Sequence, residues 1–329
     1  MLAVGPNGAG KTNLLEALHV GTQGFSPRTR TDTQLIRFGA STGRIALRGE
    51  RGETPVELNV VLQVGEAKRA TLNGAQLRAA EQLRSEVATL VFTPDRLAVV
   101  KGGPAVRRAY FDRALGRLLP ARALLPAEYA AAVAQRNAAL RRTAMGISTR
   151  EALAPWTARV AELGAELVRA RKQTVGELGP LFAEQADALG LGRAEVRYDG
   201  EPVEESALEA RLEQDLERGT TGLGPHLDDV TIEAEGRELR RFGSQGEQRL
   251  AVLSLLLAEA ELLAALGPAP PLLLLDDVLS ELDEPRRRTL AERIGAAGQT
   301  FVTSTSASAL PVEPAQLVTV EPGSARSVS

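Results

Sequence analysis

The sequence predicts an α/β protein in which a mixed sheet with helices is interrupted by an inserted α-helical arm. Three observations predict it. A glycine-rich loop at 5–12 stands between a short apolar strand and a helix, and four consecutive leucines, Leu272 to Leu275, run into a pair of aspartates. Between them, from about Ala105 to Arg218, the composition shifts to Ala, Leu, Arg and Glu with few β-branched residues, which is helix-forming material. The expected organisation is a first lobe in two parts, residues 1–105 and 220–329, with a helical second lobe, 106–219, between them.

Taken in order, Leu2 to Val4 reads as a very short strand, and Leu14, Leu15 and Leu18 are the apolar positions of the helix that follows the loop. Residues 44–48 and 56–64 alternate with period two across a Gly/Glu/Thr/Pro turn, so they are expected to pair as antiparallel strands. Val87 to Phe92 is a further apolar strand before Pro94. Ala127 to Arg142 and Ala154 to Leu189 flank a turn-like Gly146 to Ser148, which predicts an antiparallel helical arm. At about 1.5 Å per residue its longer helix reaches roughly 50 Å. After Gly219 come turn-rich residues to Asp229, a hairpin around Glu235 and Gly236, and a helix from Gln248 to Leu266. A Pro-rich break, Gly267 to Pro271, precedes the four leucines, a continuous apolar run of the kind central parallel strands show. Thr300 to Thr303 is the last expected strand, with a loosely ordered tail after Val312 and no internal repeat.

Composition narrows the function. The 329 residues carry 39 Lys and Arg against 42 Asp and Glu, a formal charge of −3 that excludes a wholly basic chain. At 43% hydrophobic and 25% charged, the chain has the material for a large core. No apolar run approaches the ~20 residues of a membrane span and no leader pattern opens the chain, so a soluble, cytoplasmic protein with no membrane partner is expected. The lack of cysteine excludes disulfides, thiolate metal sites and cysteine nucleophiles, and His19 and His226 are too few for a histidine-rich metal site.

The segment GPNGAGKT, Gly5, Pro6, Asn7, Gly8, Ala9, Gly10, Lys11 and Thr12, fits G-x-x-x-x-G-K-[ST] in full, with Asn13 next on the helix. Such a loop turns successive backbone N–H groups inward and aims a helix N-terminus at phosphates. Lys11 is expected to meet the β- and γ-phosphates and the Thr12 hydroxyl to ligate Mg²⁺. A metal and water site also needs carboxylates where a buried strand emerges, and Asp276 and Asp277 follow the leucines directly. Asp276 is expected to hold Mg²⁺ and Asp277 to orient or deprotonate the attacking water.

Two further elements complete a set. GSQGEQR at 243–249 opens a helix, and SELD at 280–283 follows the aspartates. On its own the first reads as an N-capped helix with Ser244 at the cap. In order with the loop and the paired acids, it resembles the ATP-binding cassette superfamily. Within that superfamily the chain resembles the RecF family of recombination and repair ATPases through nearly all its length, by FSPRT at 25–29, LIRFG at 35–39, GGPAVRRAYFD at 102–112, QRN at 135–137 and GPHLDD at 224–229.

The resemblance implies an ATPase head with an inserted α-helical arm lobe, using ATP and Mg²⁺. It also implies an ATP-dependent homodimer in which Ser244, Gly246 and Glu247 face the nucleotide of a second subunit and Asp283 lies on the seam. Lys11, Asp277 and Ser244 are then the residues of a weak ATPase that times a DNA clamp. By the same resemblance the role is DNA repair, recombination, replication restart and the SOS response, with RecO and RecR helping to load RecA at gaps. Four departures accompany it. Such chains carry roughly thirty residues before the loop where this one has four, so the adenine-contacting region and an edge strand are expected to be missing. Leu227 stands where the family has Arg, Glu247 where it has Gln, and no transporter-type histidine follows Phe301, where Thr303, Ser304 and Thr305 stand. Three alternatives stay open, an ABC transporter's nucleotide-binding subunit, an SMC-like structural chromosome protein and a binding-only module whose hydrolysis is vestigial; the roughly 230 residues between loop and signature oppose the first and the short arm opposes the second.

Charge is segregated along the chain. Residues 101–150 hold ten bases against Asp112 and Glu128, net +8, whereas 201–250 is net −7. Lys101, Arg107, Arg108, Arg136, Arg141 and Arg142 are therefore candidates to contact duplex, gapped or junction DNA through its phosphates. The competing reading is pairing of these arginines with the acidic stretch. At 3% aromatic residues, stacking on single strands is poorly supported. His19 is expected to be structural, and His226 either to approach the nucleotide or to stabilise its turn.

Overall fold

The computed structural model describes residues 1–329 apart from Arg30, Gly52, Pro268 and Ser329, so Pro268 of the expected Pro-rich break lies outside the described residues. The chain divides into two compact units, one of residues 1–97, 188–190 and 252–329, the other of 98–187 and 191–251.

The first unit begins with β1 (Leu2–Val4), the loop, and α1 (Lys11–Gln23), which stops at Gly24, a left-handed residue whose N–H bonds the Val20 carbonyl. Next come β2 (Thr42–Arg51), β3 (Thr54–Gln63), β4 (Arg69–Leu72), β5 (Ala75–Gln76) and β6 (Thr89–Phe92). The long β2–β3 pairing has Thr42 opposite Gln63 and Arg51 opposite Thr54. Leu58, Val60 and Leu62 of β3 face inward with Leu83 and Val20, which is what the period-two pattern requires.

The second unit holds α2 (Ala98–Lys101), α3 (Pro104–Leu118), α4 (Leu125–Ala144), most of α5 (Ala154–Ala188), β7 (Ala194–Arg197), α6 (Glu205–Ala210) and α7 (Leu212–Arg218). It continues with β8 (Thr231–Ala234), β9 (Arg237–Glu238), α8 (Leu239–Phe242) and the start of α9 (Gln245–Leu266). The arm is the predicted pair α4 and α5. Between them Gly146 is left-handed, with Ile147 N–H on the Arg142 carbonyl and Gly146 N–H on the Thr143 carbonyl, a Schellman ending. Leu125, Tyr129 and Val133 of α4 pack on Val160, Leu163 and Leu167 of α5. The expected hairpin turns at Glu235 and Gly236, both at positive φ, as a two-residue type I′ turn demands.

The first unit closes with the remainder of α9, β10 (Leu272–Leu275), α10 (Glu284–Ala296), β11 (Thr300–Ser304), β12 (Leu317–Glu321) and β13 (Ser324–Val328). Among the described residues its main sheet runs β13-β12-β1-β11-β10-β6, parallel except for the β12–β13 hairpin, so the sheet is mixed as predicted. Leu273, Leu274 and Leu275 of β10 are buried between β11 and β6, and Leu272 at its start is partly buried.

The lobe boundaries and the tail differ from expectation, the first boundary falling at 97 rather than 105. The second boundary falls at 251, inside α9, rather than at 219, because β8 pairs with β7 from Ala194↔Ala234 to Arg197↔Thr231 and fastens the following chain, signature included, to the second unit. The tail expected to be loose is a β-hairpin, with β12 parallel to β1 and seated so tightly that a Cβ on Gly5 would stand 2.3 Å from the Val320 carbonyl oxygen. No helix among the described residues is long and apolar enough to cross a membrane.

Candidate functional site

The loop after β1 depends on glycine. Gly8 and Gly10 sit at φ 82° and 104°, which residues with a Cβ rarely adopt, and Gly10 leads into the first turn of α1. The Lys11 ammonium bends back over the loop, donating to the carbonyls of Gly5 at 2.8 Å and Pro6 at 3.0 Å. One residue on, the Thr12 hydroxyl donates to Asp276, 2.9 Å from Oδ2 and 3.1 Å from Oδ1. Parallel strands β1, β11 and β10 bring these residues together across 264 positions of sequence. A hydroxyl and a carboxylate side by side form a hard-oxygen donor pair that suits Mg²⁺, an ion that takes one or two protein oxygens and fills its shell with phosphates and water. No cluster of three or more His, Asp or Glu among the described residues offers an all-protein metal cage.

Asp277 follows with φ 48°, left-handed without being glycine. Its backbone N–H donates to the Thr303 hydroxyl at 3.0 Å, and its carboxylate accepts the Ser280 hydroxyl at 3.1 Å. Beside the loop opens a cleft of about 310 Å³, lined by Ala9, Gly10, Asn13 and Leu14 on one side and by Val320, Glu321, Gly323, Ser324 and Ala325 on the other. Reading the tail as loose missed this wall. The signal was present in the alternation of 317–321 and in Pro322-Gly323, a turn dipeptide.

The signature is a capping box. Ser244 Oγ accepts the Glu247 N–H at 3.2 Å, and Glu247 Oε2 accepts the Ser244 N–H at 2.7 Å. Those bonds from Ser244 hold the Glu247 carboxyl below its ordinary range, with Arg237 adding to the effect. Gly246, by contrast, is open on its Cβ side, with only Ser244 Oγ near at 3.9 Å. Asp283 caps α10 by accepting the Arg286 N–H at 3.0 Å.

The basic window separates into two classes, and two of its candidates are corrected. Arg107 is 2% exposed and forks onto Asp229, with Nε 2.8 Å from Oδ1. Arg136 is 0% exposed and bonds Asp215, Thr157 and Thr221. Both are enclosed and neutralise acids of the net-negative stretch, which leaves neither side chain on the surface. Arg108 is half-buried on the Asp228 carbonyl. Lys101, Arg141 and Arg142 are exposed, with Arg141 donating to the Gly219 carbonyl at 3.2 Å.

His19 is buried, with Nδ1 2.9 Å from the Phe25 carbonyl. His226 joins its turn to the arm: Nε2 donates to the Thr221 carbonyl at 3.0 Å and Nδ1 accepts the Tyr129 hydroxyl at 2.8 Å. Burial pushes the Tyr129 hydroxyl's pKa up.

Comparisons with known proteins bear on this arrangement. Residues 1–324 match the family model described as RecF/RecN/SMC N terminal domain. The "DNA replication and repair protein RecF" of Heliobacterium modesticaldum is 35% identical over 318 residues, covering 92% of this chain and 85% of that protein. The solved structure of "the recombination mediator protein RecF-ATP in RecFOR pathway" superposes with a TM-score of 0.86 at 26% identity, over 100% of this chain and 91% of the other. An Smc head domain from Pyrococcus furiosus shares the fold at a TM-score of 0.61 and 17% identity, over 99% of this chain and 89% of that one.

Proposed function

The chain belongs to the RecF/RecN/SMC N-terminal domain family, among the RecF DNA replication and repair proteins, and on that premise we propose that it binds ATP with Mg²⁺, closes as a homodimer on duplex DNA, and reopens by slow hydrolysis. The observation that carries this reading is the meeting of Thr12 and Asp276 at 2.9 Å beside Lys11. The backbone N–H groups at the end of the loop and the N-terminus of α1 take the phosphates. Lys11 exchanges its two carbonyl partners for the β- and γ-phosphates, and the cleft against β12 and β13 takes the nucleoside end. Thr12 and Asp276 hold Mg²⁺, which when bound neutralises charge on the phosphate oxygens. Asp277 orients the attacking water and takes its proton.

Ser244 and Gly246 complete the site of a second copy by offering a hydroxyl and N–H groups to its γ-phosphate. Two nucleotides are then enclosed by two chains, so ATP binding is linked to association and hydrolysis to release. On the same reading RecO and RecR are the partners in loading RecA at gaps.

Sedimentation of the chain with ATP, ADP or no nucleotide, with and without duplex DNA, tests the proposal. ATP alone should produce the dimer, Lys11→Met should abolish it, and Asp277→Asn should trap it with turnover reduced by about a hundredfold or more. A Lys11→Met protein that still dimerises and binds DNA in response to ATP contradicts the mechanism.

A further inference from the structure

We propose that Thr303 is the positioning residue for both carboxylates of the site, an inference that rests on the nucleotide reading above. Strands β10 and β11 run parallel with Leu275 opposite Val302, so the next step along the pair sets Asp276 beside Thr303. The Thr303 hydroxyl donates to Asp276 Oδ1 at 2.7 Å and accepts the Asp277 backbone N–H at 3.0 Å. One atom therefore serves two successive residues, using the one proton and one of the lone pairs a hydroxyl has. The side chain is 0% exposed, so water does not compete for either bond.

Each bond answers a specific requirement. Among the described residues, the Asp276 carboxylate accepts hydroxyl donors from Thr12 and Thr303. When Thr12 turns to another partner, Thr303 still holds Oδ1 in place. Asp277 stands at φ 48°, a backbone state that a side-chain-bearing residue keeps only when its surroundings hold it there. The bond from its N–H to Thr303 ties that peptide to the neighbouring strand and so sets where the Asp277 side chain begins.

The test compares Thr303→Val, which keeps the shape and removes the hydroxyl, with Thr303→Ser, which keeps the hydroxyl. Two quantities are read: steady-state ATP turnover, and the affinity for a fluorescent ATP analogue with and without Mg²⁺. The Val variant should bind the analogue as the parent does without Mg²⁺, lose most of the affinity that Mg²⁺ adds, and turn over at least about tenfold more slowly, with KM in Mg²⁺ rising in step with the lost affinity. Thr303→Ser should recover most of both. If Val fails to fold, Thr303→Ala takes its place with the same expectations. A Val or Ala variant with the parent's turnover and Mg²⁺ increment overturns the inference, as does a Ser variant as impaired as Val. A parent chain that neither binds nor hydrolyses ATP overturns the nucleotide reading itself, whereas an active parent matched by Thr303→Val overturns the role of Thr303 alone.

Discussion

The guanidinium of Arg136 and the carboxylate of Asp215 meet at 2.7 Å with both side chains fully enclosed. Arg136 also donates to Thr221 at 2.9 Å, and Asp215 accepts the Gly222 N–H at 3.1 Å, so the pair ties α4 to α7 and to the loop after it. Removing Arg136 leaves the enclosed Asp215 with the partly exposed Arg211, Nε 3.3 Å from Oδ1, as its counter-charge, and breaking a buried pair costs about 3–5 kcal/mol. Arg136→Met is therefore expected to lower the melting temperature by several degrees in calorimetry, and Arg142→Met, at an exposed position, to change stability by less than about 0.5 kcal/mol. Equal melting temperatures for the two variants contradict the assignment.

The same pair shows where reading the sequence stops. A charge window counts Arg136 with Arg142, because nothing local tells that Asp215 waits 79 residues on for one and not the other. The phosphate loop was legible because its chemistry is contiguous: the glycines, Lys11 and Thr12 all lie between 5 and 12. Leu272 to Leu275 were legible as a buried strand for the same reason, since four leucines in a row have no polar face. Thr303 as a partner of Asp276 was not, because that contact exists only in the register between two strands. The terminal hairpin went unread because β13 is exposed throughout and so lacks the apolar alternation that marked β3.

If DNA contacts come from the exposed end of the arm, Arg141 and Arg142 carry them rather than Arg107 and Arg136. Replacing both by Glu is expected to weaken duplex binding and to reduce the slope of log K against log salt by about 2, close to 0.9 per lost phosphate contact. A salt titration of duplex binding by fluorescence anisotropy, with ATP present throughout, checks this. An unchanged slope removes the arm tip from the interface.

His226 makes stability depend on pH. Burial, with the positive charges of Arg108 and Arg171 adding to it against the pull of Asp228 and the bond to Thr221, pushes its pKa below the ordinary 6.5. The unfolded chain thus takes up the proton at a higher pH than the folded one. The resulting stability is fully present above about pH 6.5 and is lost as pH falls through the folded value. His226→Gln keeps a donor for Thr221 and an acceptor for Tyr129 without titrating. The parent should lose more melting temperature than this variant between pH 8 and pH 5.5; parallel curves refute the assignment.

On the nucleotide reading proposed above, the cleft lined by Gly10, Asn13, Ser324 and Ala325 assigns the two ends of ATP to different walls, the phosphates to the loop and α1 and the nucleoside end to β12 and β13. Ala325→Phe narrows the cleft without touching Lys11, Thr12 or Asp276. It is expected to weaken ATP binding by about tenfold, as filling a preformed site does, and to leave inorganic tripolyphosphate as effective a competitor for the loop as it is in the parent. Competition titrations against a fluorescent ATP analogue measure both. Equal losses for ATP and tripolyphosphate mean that the substitution has disturbed β12, which packs on the loop at Gly5, and an unchanged ATP affinity places the nucleoside elsewhere.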